Sequence, residues 1–183
     1  YLGKAYLNPS VSDITLENLA KNRLLQTQAT KIIIAGMTLK LECLLDKNGK
    51  YLAAKSTTVI MNSKYDLRIV LGILNSKLIY NFLKNKFKGN VLQGGYLRLG
   101  PPEIRQIPIP YLKGNNTKQG SVIIELVDKI HQLIDFSLKE TENSEKWLTT
   151  KSEIEKVDKA IDQEVYKLYG LTQKEIEIVE NQR

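Results

Sequence analysis

Cysteine and histidine are almost absent from this sequence: among 183 residues there is one of each, Cys43 and His131. A single cysteine excludes an intramolecular disulfide, which fits a reducing compartment. Cys43 lies in an alternating apolar stretch, so we expect a buried structural thiol instead of a nucleophile. A lone histidine is a poor basis for a zinc site, which needs several nitrogen or sulfur ligands. We therefore predict no metal site and no cofactor in this segment.

Long hydrophobic runs are also missing. No stretch approaches the roughly 20 apolar residues that a membrane-spanning helix requires, and there is no signal peptide. These absences predict a cytoplasmic protein with no membrane contact. The sequence begins at Tyr1 and not at methionine, so we expect it to be part of a longer polypeptide.

The motifs that catalysis on DNA or nucleotides would need are missing as well. Asn8-Pro9 is followed by serine and Pro101-Pro102 by glutamate, so neither forms the Asn/Asp-Pro-Pro-Tyr motif of amino-methyltransferases. No Gly-x-Gly-x-x-Gly turn, complete P-loop or Glu-x-Lys of a magnesium-dependent nuclease occurs. A Ser/His/Asp relay would have to use His131, on an amphipathic helix that gives no preference for catalysis. We predict that this segment is not catalytic by itself.

Positive charge, by contrast, is abundant and unevenly distributed. Residues 1–112 hold 16 basic and 6 acidic side chains, a net charge of +10. Residues 113–183 hold 11 basic and 14 acidic side chains, a net charge of −3. A strongly basic half is typical of a surface that faces a polyanion, and nucleic acid is the usual partner. Scattered lysines that serve only solubility are the alternative explanation.

The basic half combines strand and helix patterns. Residues 13–25 have the spacing of a short helix. Strands of a small, mainly antiparallel sheet are predicted for four segments: 32–34, 39–45, 51–54 and 57–60. Between the second and third of these, Asn48-Gly49 predicts a tight hairpin turn. A wide apolar stripe over residues 66–87 then predicts one core helix whose opposite face lies in water.

Two loops are candidates for contact with a nucleic acid. The segment from Gln93 to Arg98, Gln-Gly-Gly-Tyr-Leu-Arg, has paired glycines that admit backbone conformations closed to other residues. It also brings three side chains suited to base or phosphate contact within six positions. The turn Gly36-Met37-Thr38 is flanked by Lys31 and Lys40 and is either a plain connector or a finger that points at DNA.

The remainder of the chain is predicted to be helical. Four prolines, at 101, 102, 108 and 110, predict an extended strap that leads out of the first module. Amphipathic helices are predicted for residues 120–139 and 145–169, and two such helices joined by a short loop should form an antiparallel hairpin. Gly170 stops the second helix, and Thr172-x-x-Glu175 is a capping box that starts a last short one. We therefore divide the chain into a domain over 1–112 and a helical hairpin with a tail over 113–183.

Four motifs occur in an order and spacing that resemble a known family. They are Leu-Asn-Ser-Lys at 74–77, Gly-Gly-Tyr-Leu-Arg at 94–98, Ile-Pro-Ile-Pro at 107–110, and Asp-x-x-Val-Tyr-x-Leu-Tyr-Gly-Leu-Thr at 162–172. Together they resemble the TaqI-like C-terminal specificity domain. This is the target-recognition region of type IIG restriction-modification enzymes and related adenine-specific DNA methyltransferases. The predicted fold is then α+β, with a small mainly antiparallel sheet, a packed core helix and a C-terminal antiparallel helical hairpin.

The resemblance implies that residues 1–112 recognise a sequence in double-stranded DNA. In this family a catalytic domain flips the target adenine and transfers a methyl group to it from S-adenosylmethionine. That catalytic domain would belong to the same polypeptide, outside this segment, and the helical hairpin would pack on it or on a partner. The resemblance leaves open whether the parent enzyme also cleaves DNA.

We predict eight residues that contact DNA. Five lysines would neutralise phosphates: Lys31, Lys40, Lys84, Lys86 and Lys88. Gln93 suits adenine and Arg98 suits guanine, because their side chains can make two hydrogen bonds to those bases. Tyr96 would stack on a base or pack under the loop. The alternative is that Tyr96 and Leu97 only plug the loop into the core.

A protein-interaction module is the alternative function. The helical hairpin would then dimerise or dock on a protein, much as specificity subunits of type I systems use helices to space two recognition domains. The charge of the basic half would be incidental. An RNA-binding domain is disfavoured by the shortage of aromatic residues at strand spacing.

Overall fold

The structure is a computed structural model that describes residues 21–112 and 118–181, with side chains from residue 23 onward. The predicted α+β class is confirmed, since small antiparallel sheets lie in the first part of the chain and long helices in the second. The helix predicted for residues 13–25 falls largely outside the described residues. The first described element is α1 (Lys21–Gln28).

Three antiparallel strands form the main sheet, in the order β3-β1-β4. They are β1 (Lys31–Ala35), β3 (Cys43–Asp46) and β4 (Thr57–Ile60). Ile33, at the centre of the sheet, pairs with Leu44 on one side and with Val59 on the other. The isoleucine run of β1 is buried along its whole length, so the strand predicted from it is confirmed.

A second sheet has two short strands, β2 (Met37–Thr38) and β5 (Leu97–Arg98), which we call the ribbon. The prediction of one strand over residues 39–45 was wrong in extent, because residues 39–42 lie outside the strands. The Thr38 hydroxyl donates a hydrogen bond to the carbonyl of Lys40, and this turn interrupts the alternation before β3 begins.

The hairpin predicted at Asn48-Gly49 was also wrong. β3 and β4 both pair with β1, so residues 47–56 form a long connection, and residues 52–54 lie outside the strands. Gly49 instead allows a close approach to the end of α1. Its φ is +63°, and a Cβ atom there would lie 2.4 Å from the carbonyl oxygen of Gln28.

The core helix predicted over residues 66–87 is two helices, α2 (Leu67–Asn75) and α3 (Lys77–Lys86). Ser76 lies between them with an extended ψ of 151°, and its hydroxyl donates a 2.6 Å hydrogen bond to the carbonyl of Ile73. The same hydroxyl accepts from the N–H of Ile79, so Ser76 caps both helices. The apolar period continues through this break, which explains why the stripe alone predicted one helix.

Only the two ends of α2 reach water, where Leu67, Arg68 and Asn75 are partly exposed. Residues 69–74 are buried without interruption. At the end of the helix, the Asn75 side chain accepts a 2.9 Å hydrogen bond from the backbone N–H of Cys43 and donates a 3.1 Å hydrogen bond to its carbonyl. These two bonds occupy the backbone groups on the outer edge of β3. A helix buried all round packs against neighbours on every side. Burial also raises the pKa of the Cys43 thiol, as expected for a structural cysteine.

The C-terminal helices follow the sequence prediction closely. They are α5 (Lys118–Ser137), α6 (Glu145–Tyr169) and α7 (Gln173–Asn181). Gly170 ends α6 in the left-handed conformation at φ +67°. Glu175 accepts hydrogen bonds from the N–H and hydroxyl of Thr172, which confirms the predicted capping box. Within the two described ranges, no helix combines the length and apolarity needed to cross a bilayer.

The proline strap is only partly extended, which corrects the prediction. Pro101 and Pro102 begin a one-turn helix, α4 (Pro101–Ile104), because proline at the first helical positions needs no hydrogen-bond partner. The Glu103 side chain accepts a 2.8 Å hydrogen bond from the N–H of Gly100 and closes this turn. Residues 108–112 have no regular secondary structure, and Pro108 accepts a 2.7 Å hydrogen bond from the Tyr169 hydroxyl of α6.

The helical hairpin of α5 and α6 packs on α2. A Cβ atom at Gly72 would lie 2.7 Å from Cγ2 of Ile123, so glycine brings α2 and α5 into close contact. Arg68 at the start of α2 donates a 2.6 Å hydrogen bond to Asp128 of α5, and Lys47 binds the same carboxylate at 2.7 Å. One apolar core thus continues from the sheet into the hairpin. The division of the chain at residue 112 stays a prediction.

Asp162 of α6 lies at the break between α2 and α3 and accepts a 2.8 Å hydrogen bond from the N–H of Lys77. Burial, with the nearby carboxylates of Asp158 and Glu180, raises its pKa to about 6 despite that hydrogen bond. A raised carboxyl pKa favours folding below the ordinary pKa near 4, and this contribution is lost as pH rises through 6.

We expect Asp162→Asn to be more stable than the wild type by about 2 kcal/mol at pH 7 and by only about 0.5 kcal/mol at pH 4. Asparagine stays neutral and can still accept from the N–H of Lys77. Urea unfolding at several pH values measures the difference, and Asp135→Asn, an exposed carboxylate on α5, is the matched control. A pH-independent difference between Asp162→Asn and the wild type would contradict the prediction.

Candidate nucleic-acid interface

Gly36 attaches the ribbon to the main sheet. Its N–H donates to the carbonyl of Ser56, and its carbonyl accepts from the N–H of Leu99, both at 2.9 Å. A Cβ atom at Gly36 would lie 2.3 Å from the Ser56 oxygen, so only glycine fits between these backbones. The ribbon therefore starts from a fixed point beside the beginning of β4.

We expect Gly36→Ala to lower the free energy of unfolding by about 1 to 2 kcal/mol, because the new methyl group would have to separate two backbone segments. Gly89→Ala is the matched control, since a Cβ atom at Gly89 would meet nothing within 4 Å. Chemical denaturation compares the two. Equal stabilities for the two variants would mean that the contact at Gly36 relaxes without cost.

The two faces of the ribbon differ in exposure. Thr38 and Leu97 pair across the strands and are both buried, at 4% and 2% exposed. Met37 and Arg98 pair on the opposite side and are both exposed. Leu39 directly follows β2 and Tyr96 directly precedes β5, and both are exposed as well, which extends the exposed side beyond the strands. It comprises four residues, which we call the outer face: Met37, Leu39, Tyr96 and Arg98.

The predicted glycine loop joins Val91 to the start of β5 and lies next to this outer face, since a Cβ atom at Gly95 would be 3.9 Å from Cδ2 of Leu39. Gly94 and Gly95 both have positive φ, +85° and +81°, which confirms that the paired glycines allow a conformation other residues avoid. The N–H of Leu92 donates a 2.7 Å hydrogen bond to the carbonyl of Tyr96. Gln93 is therefore exposed at the tip of a short ordered loop.

Burial distinguishes Tyr96 from Leu97. Leu97 is 2% exposed and belongs to the apolar core, as the alternative explanation required for both residues. Tyr96, in contrast, is 43% exposed. The Tyr96 ring lies beside Gly94, since a Cβ atom there would be 3.5 Å from its Cδ2 atom. The aromatic ring is thus available to a partner.

Five of the eight predicted contact residues lie on the ribbon or within a few residues of it in the chain: Lys40, Lys88, Gln93, Tyr96 and Arg98. Lys40 is exposed two residues after β2. Lys88 begins a 3-10 turn that ends at Asn90, and the Asn90 side chain donates a 3.2 Å hydrogen bond to the carbonyl of Arg98. Lys88 therefore lies near the strand that presents Arg98.

The two lysines at the end of α3 point in different directions. Lys84 and Lys86 are two positions apart, which separates them by about 200° around the helix axis. The Lys84 ammonium lies 5.9 Å from the ring centre of Tyr80, while the Lys86 ammonium lies 5.2 Å from that of Phe82. They cannot both face one side of a duplex that lies along α3.

The prediction that Lys31 contacts phosphate was wrong, because its side chain is 0% exposed. Its ammonium group donates to the Asp46 carboxylate at 2.5 Å and to the carbonyl of Thr27 at 2.7 Å. The backbone N–H groups of Lys50 and Tyr51 donate to the same carboxylate, at 2.9 and 3.0 Å. Lys31 thus joins α1, the sheet and the connection after β3 inside the protein.

Met37 and Leu39 belong to the outer face but are not among the eight predicted contact residues. They are 57% and 51% exposed. One local signal points to Met37, the turn Gly36-Met37-Thr38 between Lys31 and Lys40. The pairing of β2 with β5, which aligns Met37 with Arg98, joins residues about 60 positions apart, and a local pattern cannot predict such a contact.

The described residues contain no group of three His, Cys, Asp or Glu side chains that could hold a metal ion. Comparison with family models gives a match over more than half of the chain. The model described as the TaqI-like C-terminal specificity domain matches residues 3–109. No curated protein matches the chain. The matched region includes the main sheet, α2, α3 and the ribbon with its loop.

Proposed function

The chain belongs to the family of TaqI-like C-terminal specificity domains, and we propose that it selects the DNA sequence on which a site-specific adenine methyltransferase acts. Membership supports the coarser role, DNA target recognition in a restriction-modification enzyme. In this proposal the methyl group of S-adenosylmethionine is transferred by a catalytic domain of the same polypeptide, in the cytoplasm. The residues of this chain hold the duplex and read it.

One observation supports the proposal above others: the ribbon presents Arg98 and Tyr96 on a solvent-exposed face, next to the exposed Gln93. The major groove of B-DNA is about 12 Å wide and admits a two-stranded ribbon. Arg98 can donate two hydrogen bonds to O6 and N7 of guanine, and Gln93 can pair with adenine. Tyr96 can stack on an unpaired base or on a sugar.

Phosphate contacts would come from cations around the ribbon. Lys40 follows β2, Lys88 lies near β5, and Lys86 is exposed at the end of α3. Each lysine that neutralises a phosphate releases a counterion from the duplex, and this release favours binding without regard to sequence. These three lysines orient the duplex, while Gln93 and Arg98 distinguish bases.

We expect DNA binding to weaken steeply with salt. Three phosphate contacts predict a slope of about −3 in a plot of log association constant against log salt concentration. Fluorescence anisotropy with a labelled duplex of mixed sequence measures it. Lys88→Ala should make the slope less negative, by about 1. Lys174 is an exposed lysine on α7, and Lys174→Ala should leave the slope unchanged. Binding that is insensitive to salt would exclude DNA as the partner of this surface.

Protein interaction by the helical hairpin is the second candidate function, and one observation favours it. Three large apolar side chains are exposed around the connection between α5 and α6: Phe136 at 46%, Leu138 at 74% and Leu148 at 52%. Sedimentation velocity, run beside a DNA mobility shift, separates the two functions. Self-association in sedimentation, without any change in the mobility of DNA, would favour the second function.

A further inference from the structure

Half of the outer face is apolar, and the proposed contacts with guanine, adenine and phosphate do not use it. Met37 and Leu39 expose more than half of their surface, and neither lies in the core. A single exposed apolar side chain needs no explanation. Two on the same face of a ribbon that also presents Arg98 suggest a partner with an apolar group at that place.

The register of the ribbon fixes the neighbour of Met37. Met37 and Arg98 are direct cross-strand partners, so their Cβ atoms are about 5 Å apart and point to the same side. Successive base pairs of a duplex are separated by about 3.4 Å. Two side chains at this spacing can reach neighbouring base pairs of one groove.

The chemistry of the two side chains differs in a way that matches base edges. Arginine donates hydrogen bonds, which suits the acceptors of guanine. Methionine has a flexible, polarizable and apolar end, which suits a methyl group. Among the four unmodified bases only thymine presents a methyl group in the major groove, on C5, and apolar side chains contact it there.

We propose that Met37, supported by Leu39, contacts the C5-methyl group of a thymine in the base pair next to the guanine read by Arg98. This inference rests on the proposed function, because it requires that the outer face enters the major groove. The family match and the exposed Lys40 two residues after β2 favour DNA over a protein as the occupant of this face.

The test replaces thymine by uracil, which removes only the methyl group. Duplexes that the full chain binds are first selected from a randomised pool. Each thymine of the selected sequence is then replaced singly by deoxyuridine, and dissociation constants are measured. We expect one replacement, adjacent to the guanine at which Arg98→Ala loses preference, to weaken binding by about three- to tenfold, as for the loss of one buried methyl group.

The matching variant is Met37→Ser, which should bind the thymine and uracil duplexes equally. Met37 is exposed, so the variant should keep the thermal midpoint of the wild type. Leu44→Ser, an exposed apolar residue of β3 outside the ribbon, is the control and should keep the preference for thymine.

The outcomes separate the inference from the proposed function. If the chain binds a selected sequence but no deoxyuridine replacement changes the dissociation constant, the inference is overturned and the proposed function stays intact. The same holds if Met37→Ser weakens binding to thymine and uracil duplexes while preserving the difference between them. Failure to select any sequence from the pool would overturn both.

Discussion

Lys31→Met is expected to lower the free energy of unfolding by about 3 to 5 kcal/mol, a large fraction of the 5 to 15 kcal/mol typical of single domains. The methionine would fill the space of the lysine but leave the Asp46 carboxylate buried, with only backbone N–H groups as partners. A buried charge without its counter-charge is among the most destabilising changes that one substitution can make. Urea denaturation at pH 7 measures the loss.

The pH dependence identifies the cause. Burial alone would raise the pKa of Asp46, but hydrogen bonds from Lys31 and from the backbone of Lys50 and Tyr51 hold it below its ordinary value. The lowered pKa contributes stability above pH 4 or so, and this contribution is lost as pH falls through the folded-state value. The deficit of Lys31→Met should therefore be largest at neutral pH and shrink below about pH 4.

Two further variants make the experiment decisive. Lys47→Met removes a neighbouring lysine whose ion pair with Asp128 is partly exposed, so its cost should stay below about 1 kcal/mol. In Lys31→Met combined with Asp46→Asn the unpaired charge is gone, and we expect part of the stability to return. Equal losses for Lys31→Met and Lys47→Met would show that the buried pair has no special role.

Arg98→Ala is expected to weaken specific DNA binding by about 1 to 3 kcal/mol and to relax the preference at one base pair. Arg98 is exposed on the outer face, and its carbonyl is held by Asn90. The substitution should therefore not disturb the fold. Binding to the selected sequence and to its single-base variants, measured side by side, gives both the affinity and the preference.

The control for this experiment is Arg105→Ala. Arg105 is exposed at the end of α4, outside the ribbon, and carries the same charge. Its loss should change affinity only slightly and by the same factor for every sequence. If Arg98→Ala also weakens all sequences by one common factor, Arg98 contacts phosphate and another residue reads the base.

Elements that depend on adjacent residues could be predicted from the sequence. The end of α6 at Gly170 and the start of α7 at Thr172 follow from residue types next to each other, and so does the positive φ of Gly94 and Gly95. Elements that depend on distant residues could not. The Asn48-Gly49 pair predicted a hairpin, yet β3 and β4 flank β1, because sheet order is decided by burial of the whole strand.

The difference between adjacent and distant residues also explains which site residues were predicted correctly. The segment from Gln93 to Arg98 was predicted because its glycines and polar side chains are contiguous. Lys31 was assigned wrongly because its counter-charge, Asp46, lies 15 residues away, and a count of charges cannot show which of them are paired inside. The break at Ser76 was missed for a related reason, since it is stabilised partly by Asp162 from α6.

The burial of α2 on all sides bears on how such recognition modules can be exchanged between enzymes. Residues 69–74 contact the sheet and the helical hairpin at once, and Gly72 fits against Ile123. A chimera joined at residue 112 would place α2 of one protein against the helical hairpin of another, and the contact at Gly72 would no longer fit. Transplanting a sequence preference should require the entire segment through α6, whereas the ribbon, attached at Gly36, can vary its exposed side chains and leave the interior unchanged.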